Sequence, residues 1–438
     1  MIKKLLLNCG RLINKQVRHT WMPRAVPAWL KSGLKRLVLG EPMSTDSKSV
    51  PTVGGSMSIP TNLDIFEPGV TMVGYVSGEF GVAENLRMAY SAIEAAKVPV
   101  DIFKAGTEGA YGEEDTRYHH HVVSRSPHAI QLYCINADQL RQVQDGLGKE
   151  QTQGRYKIGY WFWELPNFPK EWWHAFDLVD EVWAPTKFIA DTLTKVSTKP
   201  VIHISVPVAF TIQGFYDRAH FNMPKNRFLF LFSYDFHSFS QRKNPDACIE
   251  AFKRAFDAND KRIGLVIKTI YAEKHPNAYA KLQALAINDD RITIVNHVMP
   301  RDEMYGLINV CDAFLSLHRA EGFGLGMAEA MLLGKPTIGT GYSGNMDFMN
   351  KENSCLVDYK LIPLRRSDYP YWKGQTWANP DIMQAADYMR SIYEDVVFRE
   401  KIARKGRAYM LQHHSFAEIG RIMKKRLYEI DGRMTNQS

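Results

Sequence analysis

The densest chemistry in this chain lies between Ser316 and Gly334, SLHRAEGFGLGMAEAMLLG. A short apolar run passes Glu321, turns through Gly322, Gly324 and Gly326, and enters an Ala/Met/Leu-rich stretch of helical character that contains Glu329. Glycines let a backbone come close to a ligand. A helix start offers unpaired N–H groups and the positive end of its dipole to an anion. Glu329 falls about five residues into that helix, or ~7.5 Å along its axis at 1.5 Å per residue. That offset suits a diphosphate at the helix start and a neighbouring ribose, two of whose hydroxyls one carboxylate can accept from, while Glu321 faces the other side of the phosphates. A lone Glu near a helix start does no more than complement the dipole. Two Glu around three glycines argue for a site.

A second constellation, SQRKN at Ser240–Asn244, precedes a helical run through Ala247, Ala251 and Phe252. Arg242 supplies a planar fork and Lys243 a point charge, and together they suit a leaving diphosphate that gathers negative charge. Cations at a helix start run against the dipole, so their placement reads as functional. In the first half, Gly78 and Gly81 (GEFGV) stand between a strand and a helix through Asn85 and Arg87, where a turn can admit an anion or a sugar. The stretch Gly159–Pro169, GYWFWELPNFP, ends a strand in aromatics and one carboxylate. Aromatic rings stack on sugars but also build cores. Glu164 is expected to face the reacting centre or an acceptor.

Other motifs carry less. Gly339–Gly344 spells G-x-G-x-x-G, yet it comes late in its domain and has no acid ~20 residues on with a clear following strand, as dinucleotide binding requires. In Tyr118–His121 the adjacent His side chains diverge, so the tract reads as a loop rather than a metal site. No D-x-D, H-E-x-x-H or P-loop occurs, and no metal is expected. Arg365–Trp377 (RRSDYPYWKGQTW) reads as a solvent-facing insertion beside an acceptor.

The elements that must position these residues alternate. Candidate strands are Thr71–Val76, Val98–Phe103, Ala129–Ile135, Lys157–Trp163, Glu181–Ala184 and Val201–Val206, then Phe228–Ser233, Ile263–Thr269, Ile292–Val295, Ala313–Leu317 and Thr337–Gly339. Helical stretches at 245–257, 302–310 and 325–333 lie between them. Alternating β and α units predict parallel sheets covered by helices. Two series with a joint near 207–225 predict two doubly wound domains with a ligand cleft between them.

The chain has 438 residues, 45% hydrophobic and 23% charged, which is ordinary globular composition. Its net charge of +8 comes from residues 1–40, which hold nine cations and no acid; the remainder has 46 cations against 47 acids. A nearly neutral body argues against nucleic-acid binding. The leader fits either an amphipathic helix on an anionic membrane surface or a solvated extension, and 41–60 reads as a Ser/Pro/Gly-rich linker. Five scattered cysteines without a C-x-x-C pair point to a reducing, cytoplasmic setting.

The run E-G-F-G-L-x-x-x-E resembles the E-x7-E signature of the family 4 retaining glycosyltransferases, and WFWE resembles a bacterial polysaccharide- and lipopolysaccharide-assembly subgroup. The resemblance spans roughly residues 70–430. It implies an α/β fold of the GT-B kind, two Rossmann-like doubly wound domains facing each other across a cleft. The domains would be an acceptor-side one at 61–215, a donor-binding one at 216–395, and C-terminal helices at 396–438 returning to the first. Carried over residue by residue, it places Glu321 by the donor sugar and phosphates and Glu329 on the ribose. Phe323, Gly324 and Leu325 become backbone contacts to the donor, the backbone around Val298 and Met299 meets the base, and Gly78 and Gly81 lie near the phosphates. Lys243, with Arg242 beside it, binds the diphosphate. The implied reaction moves a hexose, without metal or cofactor, from GDP-mannose or a UDP-sugar to a saccharide or lipid-linked saccharide. A nucleotide-sugar epimerase, a phosphorylase, or a non-catalytic carbohydrate-binding scaffold are the rival readings.

Overall fold

The computed structural model describes residues 65–106 and 115–432. The leader, expected as either a membrane-surface helix or a solvated extension, and the linker fall outside them. The first sheet contains β1 (Glu67–Gly74), β2 (Val100–Lys104), β3 (His128–Cys134), β4 (Tyr156–Tyr160), β5 (Glu181–Ala184) and β6 (Val201–His203). They are all parallel, in the order β2-β1-β3-β4-β5-β6. The second holds β7 (Phe228–Asp235), β8 (Ile263–Ile270), β9 (Ile292–Asn296), β10 (Ala313–Ser316), β11 (Thr337–Thr340) and β12 (Cys355–Val357), again all parallel. Its order, β9-β8-β7-β10-β11-β12, is that of a Rossmann sheet. Central strands such as β3 and β8 are buried almost throughout, as parallel strands covered on both faces must be.

Helices fill the crossovers: α1 (Gly81–Ala95), α2 (Ala137–Leu147), α3 (Lys187–Thr194), α4 (Pro245–Ala255), α5 (Pro276–Ala286), α6 (Arg301–Val310) and α7 (Leu325–Leu332). Three more close the chain: α8 (Ile382–Glu394), α9 (Val396–His413) and α10 (Phe416–Ile430). The expected boundary at 396 assigns both last helices to the first domain, but only α10 crosses. Met410 on α9 packs in one core with Ala328 and Met331 of α7. Ile419, Met423 and Leu427 on α10 pack instead against Leu86, Ala89 and Ile93 of α1. Arg426 on α10 pairs with the fully buried Glu181 of β5 at 2.5 Å.

Two further expectations need correction. The fourth strand stops at Tyr160 rather than Trp163, because the Phe162 N–H donates to Asn136 Oδ1 (2.9 Å) and the chain leaves the sheet. Residues 365–377 face solvent only in part: Arg365, Arg366, Ser367, Tyr371, Lys373 and Gly374 are exposed, but Tyr369, Gln375 and Trp377 are buried. They join an antiparallel hairpin, β13 (Tyr359–Pro363) and β14 (Thr376–Pro380). Its Leu364, Tyr369 and Trp377 are buried in one apolar cluster with Trp161 and Trp163 of the first domain. Among the described residues no helix is long and apolar enough to cross a membrane.

Candidate active site

Both sheets present their carboxyl ends to a shared cleft, where ligands of doubly wound folds bind. In the second sheet the order reverses between β7 and β10, which are neighbours, so the segments leaving them meet. After β7 the chain makes a single helical turn at Ser240–Lys243, set between Phe239 (φ 64) and Asn244 (φ 58). Asn244 Nδ2 donates to the carbonyl of Leu317 at 2.8 Å, tying this turn to the end of β10.

That geometry brings together three of the four expected catalytic residues. Lys243 Nζ donates to Glu321 Oε1 at 2.6 Å and Arg242 Nη1 to Glu321 Oε2 at 3.2 Å. Arg242 also donates to the carbonyls of Ala320 (2.9 Å) and Ser238 (3.2 Å). Burial alone would raise the Glu321 carboxyl, but Lys243, Arg242 and His318 outweigh it and hold it down at about 2. The fourth residue, Glu164, arrives from the first domain. Its Oε1 stands 3.8 Å from Arg242 Nη2, and its Oε2 accepts from Tyr369 Oη at 2.7 Å. Burial, then Glu164, keeps the Tyr369 phenol well above its ordinary value, so it stays a donor.

The glycine turn is held from behind. Gly324 (φ +99) adopts a conformation that disfavours a side chain and caps α7. Thr186 Oγ1 donates to the Gly322 carbonyl across the cleft (3.0 Å), and Ser343 Oγ accepts from the Glu321 N–H (2.8 Å). The G-x-G-x-x-G lookalike is thereby explained. A Cβ on Gly344 would collide with the Gly322 carbonyl, so the last glycine allows two loops to touch.

A cavity of about 280 Å3 opens here, walled by Gly81, Asn85, Asn136, Phe162, Glu164, Asp235, His237, Arg242, Lys243 and the turn Glu321–Gly326. Burial pushes the Asp235 carboxyl up to about 6. Phe323, Gly324 and Leu325 therefore lie on the wall, as does Gly81. Gly78 does not: its carbonyl accepts from Arg87 Nη1 at 2.9 Å and shapes the turn instead. Val298 (40% exposed) and Met299, half-buried against the second-domain core, also lie off the wall.

Glu329 is off the wall too. It is buried on α7 and ion-paired with Arg301, which stands at the start of α6. Arg301 Nε lies 3.7 Å from Glu84 Oε1 on α1, so one guanidinium bridges carboxylates of both domains. Burial, partly offset by Arg301, pushes the Glu329 carboxyl up to about 7. Arg301, Glu84 and Tyr369 were not found from sequence, since no local pattern marks a charge or hydroxyl whose partner lies in the other domain. Among the described residues, no group of three or more His, Cys, Asp or Glu could hold a metal ion. Cys134, Cys248, Cys311 and Cys355 are buried and unbridged.

Residues 217–409, from just before β7 to the last turns of α9, match the family "glycosyl transferases group 1". No curated protein matches the chain. Similar solved structures include Alr3699/HepE of Anabaena in complex with UDP and glucose, with a TM-score of 0.58 at 14% identity over 82% of this chain and 100% of that one. A glycosyltransferase from Rickettsia africae gives 0.59 at 16% over 85% and 100%. Sucrose-phosphate synthase of Thermosynechococcus elongatus gives 0.59 at 14% over 84% and 100%. At such identities the likeness is one of fold, two Rossmann-like α/β domains in the GT-B arrangement. The family match and this fold together support a glycosyltransferase.

Proposed function

We propose that this chain transfers a hexose, with retention and without a metal, from a nucleotide-diphosphate sugar to a saccharide or lipid-linked saccharide. The observation that carries the reading is the pairing of two cations, Arg242 and Lys243, around Glu321 at the mouth of the glycine turn. Transfer needs charge placed where a diphosphate departs. In this reading the donor phosphates take Lys243 and Arg242 as ligands, with the free N–H groups at the start of α7. The leaving oxygen accepts the acceptor proton, and Glu164, on the first-domain side of the wall, orients the acceptor or the reacting sugar. Glu329 holds the ribose once Arg301 yields it. The base lies beyond, toward Val298 and Met299.

The donor is open between GDP-mannose and a UDP-sugar; the related fold of Alr3699/HepE holding UDP-glucose favours a UDP-sugar. A thermal-shift panel of nucleoside diphosphates and their sugars tests this. Ligand at ~100 times its dissociation constant adds ~2.7 kcal/mol. Stabilisation by one nucleotide, lost in Lys243→Ala, is the expected result; no shift with any nucleotide sugar would sink the proposal. Product analysis with and without acceptor separates transfer from epimerisation or phosphorolysis. Membrane attachment through residues 1–40 is part of the same proposal, and deleting them should abolish binding to anionic vesicles; unchanged binding refutes it.

A further inference from the structure

Asn85 sits in the first turns of α1 and forms part of the cavity wall, beside Met88, Phe162 and Val206. It is 3% exposed, and neither its Oδ1 nor its Nδ2 has a hydrogen-bond partner among the described residues. Its neighbours on the helix differ. Glu84 and Arg87 pair at 2.6 Å, and Arg87 also holds the carbonyls of Val76 and Gly78. A buried amide unpaired at both ends costs free energy, and native structures seldom keep one without a use for it.

The chemistry of an amide narrows its missing partner. Phosphate oxygens at neutral pH serve mainly as acceptors, so a diphosphate would engage Nδ2 and leave Oδ1 without a donor. A hydroxyl both donates and accepts, and two neighbouring hydroxyls satisfy both ends of one amide. The phosphate-binding charges, Arg242 and Lys243, come from the other domain. Asn85 comes from the helix that follows the first-domain glycine turn.

We propose that Asn85 is a specificity residue of this site that binds adjacent hydroxyls of a sugar, either the transferred glycosyl group or the acceptor saccharide. The proposal rests on the nucleotide-sugar reading above and deepens it. It also implies a trade between stability and function, since the amide burdens the free protein in order to recognise its ligand.

The test is Asn85→Leu, with Asn85→Ala carrying the same readouts should leucine not fit. Melting is followed without ligand, with UDP and GDP, and with UDP-glucose and GDP-mannose, alongside transfer kinetics. The expected free variant melts at or above the wild type and keeps the full nucleotide shift. If the donor sugar is the ligand, the extra shift given by the nucleotide sugar disappears and donor KM rises by about tenfold or more, as expected for two lost hydrogen bonds. If the acceptor is the ligand, the donor shift stays and acceptor KM rises instead. Unchanged KM for both substrates overturns the proposal whatever the melting temperature. A wild type that responds to no nucleotide sugar refutes the underlying reading instead.

Discussion

Replacing Glu321 by glutamine separates the charge balance of the free site from its catalysis. The carboxylate neutralises Lys243 at 2.6 Å and Arg242 at 3.2 Å in a setting where Glu321 itself is 6% exposed. Its carboxyl is held at about 2 against an ordinary 4.5. At 1.36 kcal/mol per pH unit, that depression is worth about 3 kcal/mol at neutral pH. The sign follows from the depression: the stabilisation is complete above pH 4.5 and is lost as pH falls through 2. Removing one partner of a buried ion pair costs about 3–5 kcal/mol on independent grounds, so the two magnitudes agree. Glu321→Gln should therefore melt roughly 6–12 °C below the wild type at pH 7, taking about 2–4 °C per kcal/mol for a domain of this size. The difference should shrink as pH drops below 4.5. The same change leaves the buried Arg242 and the half-buried Lys243 without their internal counter-charge, and an entering diphosphate replaces it. The variant should bind UDP or GDP more tightly than the wild type and show a larger thermal shift, although its turnover falls. Calorimetry at several pH values, with and without nucleoside diphosphate, reads both effects. A variant that melts with the wild type and gains no affinity for the diphosphate would show that Glu321 is not the counter-charge of this pair.

Tyr369→Phe removes the 2.7 Å bond to Glu164 while keeping the ring packed, so kcat should fall about tenfold with donor KM unchanged. Glu164→Gln should lower kcat further; unaltered turnover in both variants would retire Glu164. Glu329, pushed up to about 7 by burial with Arg301 only partly offsetting it, favours its neutral form in the fold. That contribution to stability is present below pH 4.5 and lost as pH rises through 7. In the proposed reading the ionised Glu329 carboxylate holds the ribose, so donor KM should fall as pH rises across 7. Arg301→Met should move that midpoint upward, and an unmoved midpoint refutes the pairing. Gly344→Ala should yield misfolded or inactive protein, because its Cβ meets the Gly322 carbonyl; a soluble, fully active variant would show that the turn yields.

How much of this was legible in the chain depends on the range of each interaction. The alternation of β and α runs is a local property, and eleven expected strands coincide with β1–β11 to within a few residues at their ends. Arg242, Lys243 and Glu321 could be named because each follows a strand end in a recognisable turn, and β7 and β10 are the strands between which the sheet order reverses. What stayed hidden depends on distant partners. Tyr369 meets Glu164 across 205 residues, and Thr186 holds Gly322 across 136. The hairpin residues read as solvated because Arg, Ser, Asp and Lys surround the aromatics that turn inward. For Glu329, spacing along one helix correctly fixes its height above the turn but says nothing of what faces it. Arg301 reaches it from the start of α6 and approaches Glu84 in the other domain. Sequence by itself determined the layers, the strand-end turns and the charges they carry, since those follow from neighbours in the chain. Only the tertiary structure decided which charges pair, which glycine lets two loops touch, and which buried amide is left facing the cavity, because those depend on surfaces that meet only after both sheets have formed.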